Sequence, residues 1–174
     1  ARYIGACVRQ EPIDPVLKAK IEALPRPRVY ASLGSFMSTR ADVLSRIADA
    51  FQGEPASLIR ASGVTDPRDL GLGGPRHIVR SYLPQVGVLP LCDLVICHGG
   101  NKTVTEALHA GVPLLLGPFA SDQFAGAEDV RRSGVGDVFD PNSVAPRQIA
   151  RLARAVLGGS ATARAAAIGR TLRA

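Results

Sequence analysis

Residues 94–118 read LVICHGGNKTVTEALHAGVPLLLGP. An apolar run (94–97), a His98-Gly99-Gly100 turn, a helical segment that closes on Gly111, and a second apolar run (112–116) follow one another without a gap. Two short, wholly apolar strands joined through one helix are what a parallel sheet covered on both faces requires, because neither face of such a strand meets water. The unit restricts the chain to the α/β class. Its glycines let backbone approach closely, and the helix start behind them presents unpaired N–H groups and the positive end of a dipole, so the junction suits an anion such as a phosphate.

The rest of the chain extends that unit into an open sheet. Asp14-Pro15 is a helix start, with the aspartate as cap, proline in the first turn, and Leu17, Ile21 and Leu24 on one face until Pro25 and Pro27 end it. Residues 29–33 read as the first strand, with Gly34-Ser35 at its carboxyl end, where open α/β sheets place their ligands. A helix is predicted over 40–51 and strands over 57–61 and 77–81. Behind the central unit the spacing predicts a polar loop over 118–123, a helix over 124–133, a strand over 135–139, and helices over 145–157 and 160–174. About six strands alternating with helices give a Rossmann-like, doubly wound parallel sheet with helices on both faces. The cluster Gly71-Leu72-Gly73-Gly74 is no dinucleotide loop, since Pro75 and a strand, and not a helix, follow it.

Composition sets the remaining bounds. A chain of 174 residues, 46% hydrophobic, supports one core and one domain. Its net charge of +6 comes from arginines late in the chain on the polar faces of helices, a solvated basic face; without a lysine-rich block or interleaved aromatics, no nucleic-acid partner is expected. No run approaches the roughly 18 apolar residues of a membrane span, and no signal-peptide pattern opens the chain, so a soluble, cytoplasmic domain without a membrane span is expected. Cys7, Cys92 and Cys97 are an odd set, two of them in or beside apolar strands, which fits buried reduced thiols. With His98, their spacing matches no zinc pattern, and no metal is expected.

On the helix near Asn101, the stripe Val104, Ala107, Leu108 and Gly111 is assigned to packing against the sheet, and Thr103 and Glu106 share another face. A hydroxyl beside free N–H groups binds a phosphate oxygen; a carboxylate one turn on accepts from vicinal hydroxyls, as a ribose offers; His98 can donate to the same phosphate. A pyrophosphate-ribose ligand accounts for all three. The simpler alternatives are a structural His98 and a Glu106 paired with Lys102.

The set His98-Gly-Gly-x-x-Thr103-x-x-Glu106-Ala107, then Ala110-Gly111-Val112-Pro113, Pro118 and Asp122-Gln123, resembles the donor-binding signature of GT-B glycosyltransferases of the UDP-glycosyltransferase superfamily, bacterial natural-product type. The resemblance extends upstream through Ser32-Leu33-Gly34-Ser35 and Tyr82-Leu83-Pro84-Gln85, and downstream through Gly134-x-Gly136. It covers the carboxyl-terminal half of such an enzyme, so residues 1–174 are expected to be one nucleotide-sugar donor-binding domain, with 1–27 a lead-in segment and helix and 28–174 the core. The abrupt start and end, without an initiator methionine, are read as those of a fragment lacking the acceptor-binding domain.

By position, the resemblance implies that Ser35, His98, Gly100 and Thr103 hold the donor diphosphate, Glu106 the ribose, Tyr82 and Gln85 the base, and Asp122 and Gln123 the sugar. The implied reaction is an inverting transfer from a UDP- or TDP-sugar to a small hydrophobic acceptor held by the other domain. It needs no cofactor, and the catalytic residue lies outside this chain. Tyr82 stands where many members have tryptophan, Lys102 where glycine or asparagine is usual, and Gly126 where asparagine is frequent. Two alternatives remain open: a freestanding donor subunit, as in split or lipid-linked-sugar N-acetylglucosaminyltransferases, and a noncatalytic nucleotide-sugar-binding module.

Overall fold

The computed structural model describes residues 7–70 and 74–174. Six strands, β1 (Arg28–Ser32), β2 (Ser57–Ala61), β3 (His77–Arg80), β4 (Leu94–Cys97), β5 (Leu114–Leu116) and β6 (Gly136–Val138), form one all-parallel sheet in the order β3-β2-β1-β4-β5-β6. This is the order of a doubly wound sheet, the type expected from strands alternating with helices.

Alternation along each strand sends side chains to two cores. Val29, Ala31, Leu58, Leu94, Ile96 and Leu115 pack with α3 (Ala41–Ala50) and α7 (Pro146–Gly158) on one face. On the other, Tyr30, Ile59, Val95, Cys97, Leu114 and Leu116 meet α1 (Pro15–Glu22), α4 (Gln85–Val88), α5 (Asn101–Ala110), α6 (Asp122–Ser133) and α8 (Ala161–Arg173). A further short helix, α2 (Gly34–Met37), follows β1 directly. The Asp14 carboxylate caps α1 by accepting from the Leu17 N–H at 2.9 Å, and Leu17 and Ile21 are buried beneath it; each such burial stabilises the fold by about 2 kcal/mol. No helix among the described residues is long and apolar enough to cross a membrane.

Several boundaries differ from the sequence reading. β5 is shorter than 112–116 because the Val112 N–H returns to the Ala107 carbonyl to close α5, and Pro113 has no N–H for the ladder. α6 starts at Asp122, so Asp122 and Gln123 sit in its first turn and not in the polar loop. On α5 the stripe assigned to the sheet is buried fully only at Ala107; Val104 and Leu108 are half-buried, while Thr103 and Glu106 are buried. Gln85 covers that second face, so α5 is packed on two sides. Three residues of the Gly71–Gly74 cluster, and residues 1–6 of the lead-in, lie outside the described residues.

Candidate functional site

β1 and β4 are neighbours in register, Ser32 opposite Cys97, and beyond them the chain winds away in opposite directions, to β2 and β3 on one side and to β5 and β6 on the other. Loops leaving the two carboxyl ends therefore diverge, and open sheets bind their ligands in the resulting crevice. A cleft of about 320 Å³ opens there, lined by Ser35 after β1, Tyr82 and Gln85 around the start of α4, and Lys102, Thr103 and Glu106 on α5. Five residues separated by up to 71 positions, and assigned to one ligand from sequence, thus share one wall.

Gln85 organises that wall. Its amide nitrogen donates to Glu106 Oε2 at 2.5 Å and to Thr103 Oγ1 at 3.3 Å, and its amide oxygen accepts from Tyr30 Oη at 3.2 Å. Thr103 and Glu106 are 8% and 4% exposed, so a carboxylate is held out of water by one amide at the cleft edge. Among the described residues nothing donates to its Oε1, and Lys102, exposed in the first turn, makes no ion pair with it. The Lys102–Glu106 pair considered from sequence does not form. Burial pushes the Tyr30 phenol far up, which keeps it a neutral donor to Gln85.

His98 leaves β4 between two glycines. A Cβ on Gly34 would lie 2.8 Å from its Cε1, and one on Gly100 would lie 2.5 Å from its Nε2. Gly34 also holds φ +69°, a left-handed conformation that side chains resist, so that position is doubly restricted to glycine. The ring is half-buried and its Nδ1 has no hydrogen-bond partner among the described residues. Burial pushes its pKa below the ordinary histidine value, and the Asp122 carboxylate pulls it partly back. Beside it α5 begins at Gly100 with no side-chain cap, so its first N–H groups are open to an anion.

Asp122 and Gln123 do not line the cleft; they flank the other side of the α5 start. Asn101 Nδ2 donates to Asp122 Oδ2 at 3.3 Å, and Gln123 Oε1 accepts from the Phe119 N–H at 2.9 Å, which leaves the Gln123 amide nitrogen as its available donor. The turn before them holds Ser121 at φ 50°, ψ −126°. No group of three His, Cys, Asp or Glu side chains placed to hold a metal ion occurs among the described residues. Sequence reasoning missed Tyr30 and Arg9, both of which line the cleft. A polar-tipped ring inside an apolar strand was a signal for Tyr30; Arg9 had none.

Fold and cleft define one half of a GT-B architecture. The chain belongs to the family described as UDP-glucoronosyl and UDP-glucosyl transferase, which matches residues 3–161. It is 37% identical over 114 residues to the elloramycin glycosyltransferase of Streptomyces olivaceus, covering 64% of this chain and 30% of that protein. With the demethyllactenocin mycarosyltransferase of Streptomyces fradiae the identity is 32% over 133 residues, 76% of this chain and 29% of that one. Among solved structures, the glycosyltransferase of kitacinnamycin superposes with a TM-score of 0.80 at 27% identity over 87% of this chain and 40% of that one. Glycosyltransferase VinC, solved in complex with dTDP, gives 0.78 at 25% over 95% and 41%. The chain thus spans about 30% of the length of the curated relatives it matches.

Proposed function

We propose that this chain is the nucleotide-sugar donor-binding domain of an inverting glycosyltransferase. In that role the first N–H groups of α5, with Ser35, His98, Gly100 and Thr103, hold the diphosphate; Glu106 accepts from the ribose hydroxyls; Tyr82 and Gln85 frame the base; Asp122 and Gln123 bond the sugar. An acceptor hydroxyl attacks the anomeric carbon, the bond from that carbon to the diphosphate oxygen breaks, and the nucleoside diphosphate leaves with its charge stabilised by the helix end and His98. This chemistry calls for no cofactor. Residues 1–27 serve as lead-in and 28–174 as the core, and transfer requires a second domain that carries the acceptor and the base that activates it.

The observation that carries this reading is the buried Thr103-Glu106 pair bridged by Gln85 beside an uncapped helix start. A carboxylate at 4% exposure with one oxygen open to a cleft suits a diol. The relatives named elloramycin glycosyltransferase and demethyllactenocin mycarosyltransferase support a small-molecule acceptor, and the dTDP complex of one structural neighbour supports a UDP- or TDP-linked donor. Calorimetry with UDP, dTDP and GDP tests the reading: binding of UDP or dTDP supports it, and silence from all three at millimolar concentration overturns it.

A further inference from the structure

The lead-in segment takes part in the cleft. Glu11 stands at the meeting of three donors: its Oε2 accepts from the Val86 N–H at 3.0 Å, and its Oε1 accepts from Arg9 Nη2 at 3.0 Å and from the Tyr82 hydroxyl. Tyr82 and Val86 lie 71 and 75 positions away and bracket the turn that leads into α4. The segment is seated there by close packing as well, since a Cβ on Gly87 would lie 2.8 Å from the Glu11 carbonyl and 3.1 Å from Ile13 Cβ. The Glu11 side chain is 13% exposed, and the Tyr82 residue 66%. A tyrosine standing so far out on a cleft rim has a free choice of rotamers unless its tip is tethered.

We infer that Glu11 is a positioning residue for nucleotide recognition: it fixes the Tyr82 ring as the wall against which the base stacks, and it holds Arg9 at the mouth of the same cleft. This rests on the donor-site reading above and adds to it a residue from outside the core. The mechanism is pre-organisation, since a ring already held in its stacking pose loses less freedom when the base arrives. Arg9, which lines the cleft and carries only donors, presents its remaining N–H groups to the carbonyl oxygens of a uracil or thymine. Two shifts agree with the tether. The hydrogen bond to Glu11 holds the Tyr82 phenol above the usual tyrosine range; at Glu11 burial raises the carboxyl, yet the bonds from Tyr82 and Val86 outweigh it and leave it below the usual value.

The test uses the whole chain and two readouts. Near-ultraviolet titration follows the Tyr82 phenol, identified by its loss in Tyr82→Phe, while burial keeps Tyr30 out of range. Glu11→Ala should move the Tyr82 transition to lower pH. Calorimetry with UDP, dTDP and inorganic pyrophosphate should then show Glu11→Ala weakening both nucleotides by about tenfold and leaving pyrophosphate unchanged, as expected when a base stack is lost. Added to Tyr82→Phe, the same substitution should cost less than it does alone. Equal losses for nucleotide and pyrophosphate, or full additivity, overturn the inference, because a segment that merely props the fold gives those results. An unshifted titration in a chain that binds nucleotide also sinks the Glu11 role alone. A shifted titration in an unaltered chain that binds no nucleotide sinks the donor-site reading, and the base contact with it.

Discussion

Gln85 and Glu106 meet across the cleft wall through a hydrogen bond of 2.5 Å from amide nitrogen to carboxylate, joining the first residue of α4 to the second turn of α5. A buried carboxylate needs that partner, since an ionised acid without one is expensive to hold out of water. The geometry leaves its second oxygen to a ligand. Glu106→Ala should therefore weaken UDP or dTDP binding by about 2 kcal/mol, roughly thirtyfold, the scale of charge-assisted hydrogen bonds to ribose hydroxyls. Inorganic pyrophosphate, which has no ribose, should bind as before, and calorimetry that finds the two ligands equally impaired rules out the ribose role.

The two glycines beside His98 separate ring position from backbone strain. Gly100 has φ −62°, ψ 133°, open to any residue, so Gly100→Ala displaces only the imidazole that its Cβ would strike. The expected result is about tenfold weaker pyrophosphate binding with little change in Tm. Gly34→Ala meets the same ring from a left-handed backbone and should also cost about 1–2 kcal/mol of stability, read as a lower unfolding midpoint. If Gly100→Ala binds pyrophosphate normally, His98 does not face the diphosphate.

How far the sequence reached depends on whether local pattern or tertiary contact decides. The apolar run at 94–97 coincides with β4, because a doubly buried strand announces itself by composition alone, and the strand read over 57–61 coincides with β2 although it carries Ser57 and a buried Arg60. Gly111 and Gly134 were readable as helix ends and take left-handed φ there. The start of α6 was misplaced because Ser121, where no glycine signals it, adopts the positive φ that turns the chain into the helix two residues early. Spacing on α5 placed Val104, Ala107 and Leu108 against the sheet, where they pack, and grouped Thr103 with Glu106. It did not show that this second face is buried as well, since what covers it is Gln85, which lies 21 positions from Glu106. Likewise, nothing local to Glu11 foretells its contact with Tyr82.

Ser121 itself offers a stability prediction. A serine at φ 50°, ψ −126° holds a conformation that only glycine adopts without strain. Ser121→Gly should raise stability by about 1 kcal/mol, seen as a higher Tm, provided the relief exceeds the entropy added to the unfolded chain. The same relief loosens the first turn of α6, so any contact that Asp122 and Gln123 make to a donor sugar should weaken. A Tm that falls shows that the turn is not strained.

His98 should make both folding and binding depend on pH, with opposite signs. Burial lowers its pKa in the folded state below the ordinary 6.5, so on acidification the unfolded chain takes up this proton before the folded one does. Stability should then fall as pH drops from 6.5 toward the depressed value, with no further loss from this group below it. His77, lowered by burial and by Arg60, contributes a slope of the same sign, so His98→Asn should reduce the slope and not abolish it. A diphosphate placed against the ring favours the imidazolium, so binding should draw a proton from solution and tighten relative to His98→Asn as pH falls. Taking the difference between the two proteins cancels the ligand's own protonation. Calorimetry in buffers of different ionisation enthalpy measures the uptake directly, and a binding reaction that takes up no more protons in the unaltered chain than in His98→Asn removes His98 from the diphosphate site.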